Sequence, residues 1–228
     1  MSGGIEELRQ DVATANRIAH ATGLVTAFGH VSARVPGSDR FLIPPRTSPL
    51  LARPESLLVM DCEGHVLEGE GRPNSEFWIH ARIYAARADV AGVAHVHSPA
   101  CVVLGQLGLP ARPLHNSGAV PGDAPLFDRV GLIRTRELGD DVAGTLGERR
   151  SMLLRGHGAN AVGASVREAI VIACLLEESA RLQLDALAAA GGDPGRIRFF
   201  HAEEATRVAA ELEGPPLERA WEYYASLV

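Results

Sequence analysis

The stretch VAHVHSPA, residues 93–100, places two histidines two positions apart among small and apolar residues. Its β-branched residues predict a short buried strand. The following Ser98-Pro99 predicts the start of a helix, with the serine oxygen accepting from free backbone N–H groups. Residues i and i+2 of a strand project from one face, about 6.5–7 Å apart at Cα. His95 and His97 therefore project together where a strand opens into a helix, a place where α/β proteins bind ligands.

Two imidazoles on one face suit a metal ion, because zinc–nitrogen bonds are about 2.0–2.1 Å long. Unrelated polar residues at a strand end are the alternative interpretation. His157, in RGHGAN (155–160), is a third candidate, since flanking glycines allow close approach of backbone and bulky groups. An ordinary turn histidine is the alternative there. Three neutral imidazoles would leave an ion its full charge and an open coordination position, as in a Lewis-acid site.

Glu76 is the candidate carboxylate. It lies in the first turn of a helix predicted within residues 72–89, with Asn74 or Ser75 as the cap. Acidic residues are common in first turns because of the helix dipole, which offers a purely structural explanation. The apolar residues that follow predict that burial raises the pKa of this carboxyl, which would suit a group that accepts and donates protons. Spacing alone does not bring Glu76 to the histidines.

The chain length predicts one sizeable α/β domain over residues 1–228, or at most two small ones, and hydrophobic periodicity predicts a helical tail at 198–228. The Gly- and Pro-rich segment 105–150 shows no clear pattern. No internal repeat or linker interrupts the chain. The predicted elements are helices at 5–21 and 165–190 and strand pairs at 31–44 and 56–69.

Composition limits the function classes. The 228 residues are 46% hydrophobic and 22% charged, which is typical of a globular protein with a large core. A net charge of −6 without a Lys/Arg run argues against a nucleic-acid partner. No apolar run reaches the length of a membrane span, and the acidic start MSGGIEELRQ is unlike a signal peptide. Three scattered cysteines indicate a reducing compartment. We therefore expect a cytoplasmic protein that acts on a small molecule, away from membranes.

Three segments together resemble the class II aldolase/adducin family: GHVSARV (29–35), NSEFWIHARIYAARADVAGVAHVHSPA (74–100) and LLRGHGANAVG (153–163). The resemblance covers a core of about residues 5–190 and implies a three-layer α/β/α fold with a central, mostly antiparallel sheet. It implies one divalent metal ion held by three histidines, which map onto His95, His97 and His157. The family's acidic residue maps onto Glu76, as a ligand of the resting ion or as the proton-transfer group. A homotetramer with the active site at a subunit interface is also implied. Zn or Mn suits these ligands, as do Fe and Co.

Three departures separate this chain from the family's sugar-phosphate aldolases. Those enzymes typically carry Gly-Asn-x-Ser, a Thr/Ser-Gly loop and Ser-Ser-Glu where this chain has GHVS (29–32), PPRTSP (44–49) and NSE (74–76). Arg46 is a planar donor suited to a carboxylate, and His30 could hydrogen-bond a substrate oxygen or move a proton. The structural alternatives are a surface arginine and a strand histidine bonded to backbone. Ser48 and Ser75 remain candidate substrate-binding residues. This pattern resembles the branch that decarboxylates hydroxylated aromatic or pyridine dicarboxylates.

We therefore predict a divalent-metal-dependent carbon–carbon lyase, a decarboxylase of a hydroxylated aromatic (di)carboxylate that passes through a metal-stabilised enolate or carbanion. Arg46 would orient a second carboxylate, and Glu76 or His30 would supply a proton. The alternatives are a class II sugar-phosphate aldolase acting on a ketose 1-phosphate, a related epimerase or dehydratase, and a non-enzymatic adducin-like scaffold. Outside the family, a three-histidine hydrolase is the next alternative.

Four further residues are weaker candidates. His80 lies one helical turn after Glu76 and either orients it or packs in the interior. His115 falls where the resemblance places substrate-facing residues. Tyr223 and Tyr224 either close over the site or pack against the core.

Overall fold

The computed structural model describes residues 2–228. The strands are β1 (His30–Arg34), β2 (Arg40–Ile43), β3 (Leu58–Asp61), β4 (Val66–Glu68), β5 (Gly92–Val96), β6 (Leu126–Phe127), β7 (Ser151–Leu154) and β8 (Gly158–Gly163). The helices are α1 (Ser2–Ala21), α2 (Phe77–Ala86), α3 (Pro99–Gln106), α4 (Arg136–Leu146), α5 (Val166–Ala189), α6 (Ala202–Glu211) and α7 (Pro215–Ala225). The strands form one sheet in the order β4-β3-β2-β1-β5-β8-β7-β6. Every neighbouring pair is antiparallel except β6 and β7.

The alternation of side chains along the strands supplies two apolar cores, one on each face of the sheet. Val31 of β1 and Ala94 of β5 belong to the core covered by α1, α3 and α5. Val93 of β5 and Val162 of β8 belong to the core covered by α2 and α4. The predicted three-layer α/β/α architecture with a mostly antiparallel sheet is confirmed.

The face beneath α2 carries a row of buried polar residues at the centre of the sheet. His30 of β1 lies opposite His95 of β5, which in turn lies opposite Asn160 of β8. All three are at most 3% exposed. Because residues i and i+2 share a face, Ser32 projects toward the same side as His30. The fold thus sets a polar site between the sheet and α2.

The start of α3 is stabilised by a residue that the sequence analysis did not identify. Ser98 precedes the helix as predicted, but its hydroxyl makes no capping hydrogen bond. The backbone N–H groups of Ala100 and Cys101 donate instead to the carboxylate of Glu177 on α5, at 3.0 and 3.4 Å. Free N–H groups and the helix dipole both favour a carboxylate here. The predicted serine cap is therefore wrong.

The C-terminal helices lie against the face that α1 and α5 cover. Leu212, Leu217 and Trp221 are partly buried against that core. Segment 105–150, where no element was predicted, contains β6 and α4. Across residues 2–228, we find no helix of the length and apolar character needed to span a membrane.

Candidate metal centre

Four predicted residues converge just beyond the end of β5. Glu76, His95, His97 and His157 each offer one ligand atom, and these atoms all lie within 4.8 Å of one another. The Nε2 atoms of His95 and His97 are 3.2 Å apart. Two nitrogens bound tetrahedrally to one zinc ion would be about 3.3 Å apart. The three imidazole centroids form a nearly equilateral triangle with sides of 4.8 to 5.1 Å.

Glycine allows His157 to reach this point. His157 lies in the turn between β7 and β8, beside the end of β5. A Cβ atom at Gly158, whose φ is 155°, would meet the Val96 carbonyl oxygen at 2.0 Å and His97 Cα at 2.8 Å. Any larger residue would therefore push the turn away from His97. The prediction that the flanking glycines allow close approach to neighbouring groups therefore holds at Gly158.

The charge state of the imidazoles suits metal binding. Burial lowers the pKa of His95 well below its ordinary value, and the neighbouring His30, His157 and His97 lower it further. Burial and then His157 lower the pKa of His97. Neutral imidazole is the form that binds a metal ion. Both ring nitrogens of His157 are buried without a hydrogen-bond partner among residues 2–228, a condition that coordination to a cation would relieve. These donors fit a divalent ion.

The Glu76 carboxylate is held on two sides. Its Oε1 accepts a 2.7 Å hydrogen bond from the Ile133 N–H, and its Oε2 lies 3.5 Å from His157 Nε2. Burial alone would raise the pKa of Glu76, but the nearby His157 and His95 imidazoles and the Ile133 N–H together bring it down to about 2. The predicted raised pKa is therefore wrong, because burial was weighed without these partners. The carboxylate is anionic and complements a cation.

Glu76 also occupies a different helical position from the one predicted. It is the N-cap residue of α2, a place that the sequence analysis gave to Asn74 or Ser75. Its side chain makes no capping bond to the helix, so the carboxylate is free to point toward the histidines. Packing of α2 against the sheet supplies the proximity that spacing alone did not predict.

Asn160 supports the centre, and the sequence analysis did not identify it. Its Oδ1 is 2.8 Å from His95 Nδ1. Because an amide oxygen only accepts, His95 donates from Nδ1 and directs the Nε2 lone pair toward the other ligands. The contact follows from the β5–β8 register, which sets the two residues opposite each other. The available signal was the position of Asn160 three residues after His157.

Asn160→Ala is expected to weaken divalent metal binding by about 10–100-fold, because the hydrogen bond that orients His95 is lost. Competition with a chromogenic chelator measures the affinity. Asn116→Ala, at an exposed asparagine, is the matched control. Equal affinities for the Asn160 variant and the wild type would contradict this role.

His30 and His80 lie beside the four ligand candidates. The His30 ring centroid is 5.1 Å from that of His95. Its Nδ1 is 2.6 Å from His80 Nε2, so His30 bonds another histidine and not the backbone. His80 is fully buried, and its other nitrogen lies 2.6 Å from the Ser32 hydroxyl. His80 therefore contacts His30 and Ser32 and does not orient Glu76.

The proposed substrate-binding residues lie on loops joined to the segments that carry the site. The Arg46 N–H donates to the Arg72 carbonyl at 2.8 Å, which links this loop to the segment leading to Glu76. The Ser48 hydroxyl is 3.4 Å from the Thr26 carbonyl, on the segment leading to His30. Arg46 is exposed, and within residues 2–228 its guanidinium forms no ion pair or hydrogen bond. Ser75 is half-buried beside Glu76.

The weaker candidates lie elsewhere. His115 packs with Ser179 of α5 around Gly118. Tyr224 packs against the core that α1 and α5 cover, and Tyr223 is 61% exposed. None of the three belongs to the ligand cluster, and packing explains Tyr224.

Comparison with known proteins connects this geometry to a family. Residues 10–184 match the family model of the Class II Aldolase and Adducin N-terminal domain. The chain belongs to the class II aldolase/adducin family. A 3,4-dihydroxyphthalate decarboxylase of Terrabacter sp. (strain DBF63) is 36% identical over 84% of this chain and 86% of the relative.

Two aldolases are further relatives of this class II aldolase/adducin family member. A 5-methylthioribulose-1-phosphate/5-deoxyribulose-1-phosphate aldolase of Rhodospirillum rubrum is 32% identical over 79% of this chain and 81% of the relative. The solved structure of an L-fuculose 1-phosphate aldolase matches with a TM-score of 0.80 at 26% identity, covering 91% of this chain and 97% of that one. The predicted family, fold and lyase class are confirmed, and the cluster fits a metal-dependent enzyme.

Proposed function

We propose that this class II aldolase/adducin family member is a divalent-metal-dependent decarboxylase of a hydroxylated aromatic carboxylate or dicarboxylate. The observation that carries the proposal is an exposed Arg46 guanidinium without a partner among residues 2–228. Its loop is tied by a backbone hydrogen bond to the segment leading to Glu76, a member of the three-histidine and one-carboxylate cluster. A second substrate carboxylate is the natural partner of such a guanidinium. The 36% identical decarboxylase supports the same reaction class.

Each site residue has a distinct proposed role. Glu76, His95, His97 and His157 would hold a divalent ion, Zn or Mn by ligand type, with Fe or Co also compatible. When bound, that ion supplies Lewis-acid stabilisation of negative charge on a substrate oxygen. The Ile133 N–H holds Oε1 of Glu76, so Oε2 would either ligate the resting ion or, where substrate takes that position, transfer a proton. His30 would contact a substrate oxygen, and Ser48 and Ser75 would line the substrate.

Arg46→Ala is expected to raise KM for an aromatic dicarboxylate by about 10–100-fold, the loss of a charged hydrogen bond. The KM of a substrate with one carboxylate should change little, because the partner of Arg46 is missing from it. Steady-state kinetics on both substrates measures the difference. Arg40→Ala is the control, because Arg40 is an exposed arginine at the start of β2, whereas Arg46 lies on the loop after the end of that strand. An unchanged KM for the dicarboxylate removes Arg46 from the site.

A sugar-phosphate aldolase is the second candidate, favoured by the 32% identical aldolase. The Thr47, Ser48 and Ser75 hydroxyls could bind a phosphate. One incubation distinguishes the two functions: metal-loaded protein receives a hydroxylated aromatic dicarboxylate and a ketose 1-phosphate together, and mass spectrometry follows both. Loss of CO2 from the first supports the proposal, whereas cleavage of the second overturns it. No turnover together with no metal binding would favour the adducin-like scaffold.

We further propose one domain over residues 1–228 that assembles as a cytoplasmic homotetramer. Phe28 is 71% exposed two positions before His30, and Val130 is 68% exposed three positions before Ile133. Exposed apolar side chains next to the site favour a subunit interface there. The three unpaired cysteines suit a reducing compartment. Sedimentation at the mass of four chains supports the assembly, and a monomer contradicts it.

A further inference from the structure

A chain of four buried polar side chains runs from the site into the layer between the sheet and α2. His30 Nδ1 is 2.6 Å from His80 Nε2, and His80 Nδ1 is 2.6 Å from Ser32 Oγ. Ser32 Oγ is in turn 2.8 Å from the Tyr84 hydroxyl. All four residues are at most 3% exposed. The periods of the two elements produce the arrangement: His30 and Ser32 are two apart on β1, and His80 and Tyr84 are four apart on α2.

The single hydroxyl hydrogen of Ser32 sets the direction of these bonds. Ser32 can donate either to His80 or to Tyr84, but not to both. If it donated to Tyr84, the buried phenol hydrogen would need another acceptor. Among residues 2–228, the hydroxyl contacts Ser32 Oγ, which can accept its hydrogen, and the Val93 backbone N–H, which can only donate. Because a buried unsatisfied donor is costly, Tyr84 donates to Ser32 and Ser32 donates to His80 Nδ1.

The donor-to-acceptor direction of the Ser32–His80 hydrogen bond also determines which nitrogen of His30 carries a hydrogen. A neutral imidazole carries one hydrogen, so a His80 that accepts at Nδ1 donates from Nε2. His30 then accepts at Nδ1 and carries its own hydrogen on Nε2. We infer that His80, Ser32 and Tyr84 are positioning residues that hold His30 as the Nε2–H tautomer, a hydrogen-bond donor to the substrate.

This inference rests on the proposed function, because it gives His30 a defined role toward the substrate. An imidazole with hydrogen on Nε2 has no lone pair there, so it cannot be a metal ligand through that atom. This agrees with the position of His30 outside the ligand cluster, although it lies opposite His95 in the sheet. It also specifies the ligand: the Nε2–H of His30 donates a hydrogen bond to a phenolate or carboxylate oxygen.

Ring-¹⁵N histidine NMR of the zinc-loaded protein tests the tautomer directly, with the His30 signals assigned by their loss in His30→Gln. We expect a protonated Nε2 and an unprotonated, hydrogen-bonded Nδ1. A proton on Nδ1 overturns the inference, whatever the activity. Correct tautomers without CO2 release from any hydroxylated aromatic carboxylate would overturn only the proposed function.

Tyr84→Phe removes the hydroxyl that fixes the direction while keeping the ring. We expect the His30 signals to average over two tautomers, kcat to fall about 10-fold, and KM and metal content to stay unchanged. Thr206→Val, which removes the hydroxyl of an exposed threonine on α6, is the control. An unchanged His30 tautomer and kcat in a folded Tyr84 variant would overturn the positioning role. If that variant does not fold, the wild-type tautomer measurement still decides.

Discussion

His97→Ala is expected to abolish metal-dependent CO2 release and to weaken divalent metal binding by more than about 100-fold, beyond the loss expected for an outer-shell partner. His97 Nε2 lies 3.2 Å from His95 Nε2 within the cluster. Alanine removes one of the three proposed nitrogen ligands and leaves an open space in its place. Two imidazoles and one carboxylate would remain in a cluster arranged for four protein ligands, so the ion would lose one of its coordination positions.

Metal content after dialysis and CO2 release measure the two parts of this prediction. His201→Ala is the control, because His201 is exposed at the start of α6 and its position lies outside the cluster. Circular dichroism of both variants checks folding. Full metal content in a folded His97 variant would contradict the prediction, because it would show that His97 is not needed to hold the ion.

Glu76→Gln is expected to lower kcat by about 10²–10⁴-fold, the range for loss of a general acid or base. The substitution keeps the shape of the side chain and an oxygen that can still accept from the Ile133 N–H. It removes the negative charge and the oxygen atom that we propose takes a proton. Folding should therefore survive while proton transfer fails.

Steady-state kinetics and metal analysis of the Glu76 variant separate its two proposed roles. Metal retained with kcat lost indicates proton transfer, and loss of both indicates that the carboxylate is also needed as a ligand. Glu55→Gln, at an exposed glutamate, is the control. A folded variant with metal content and kcat close to the wild type would remove Glu76 from the centre.

Local periodicity was enough to predict much of the ligand set. Two histidines two apart in a strand must share a face, so His95 and His97 could be paired without any knowledge of the fold. Glycines around His157 indicated a turn that allows close approach, and Gly158 does so. The helix predicted at 165–190 likewise matches α5, which spans Val166–Ala189.

Contacts set by tertiary packing could not be predicted in this way. Asn160 meets His95 only through the register of two strands that are distant in the sequence. His80 meets His30 only because α2 lies over β1, and Glu177 caps α3 from another helix. The pKa of Glu76 was predicted in the wrong direction for the same reason. Burial can be anticipated from apolar flanks, but the Ile133 N–H and the imidazoles that oppose it belong to other elements.

A metal titration of the wild-type protein tests the central claim most directly. Metal-free protein would be titrated with Mn or Zn while bound ion per chain and CO2 release from a hydroxylated aromatic dicarboxylate are followed in parallel. We predict that both saturate together at one ion per chain. CO2 release that does not depend on added ion, or one bound ion per chain without CO2 release from any such substrate, would contradict the account.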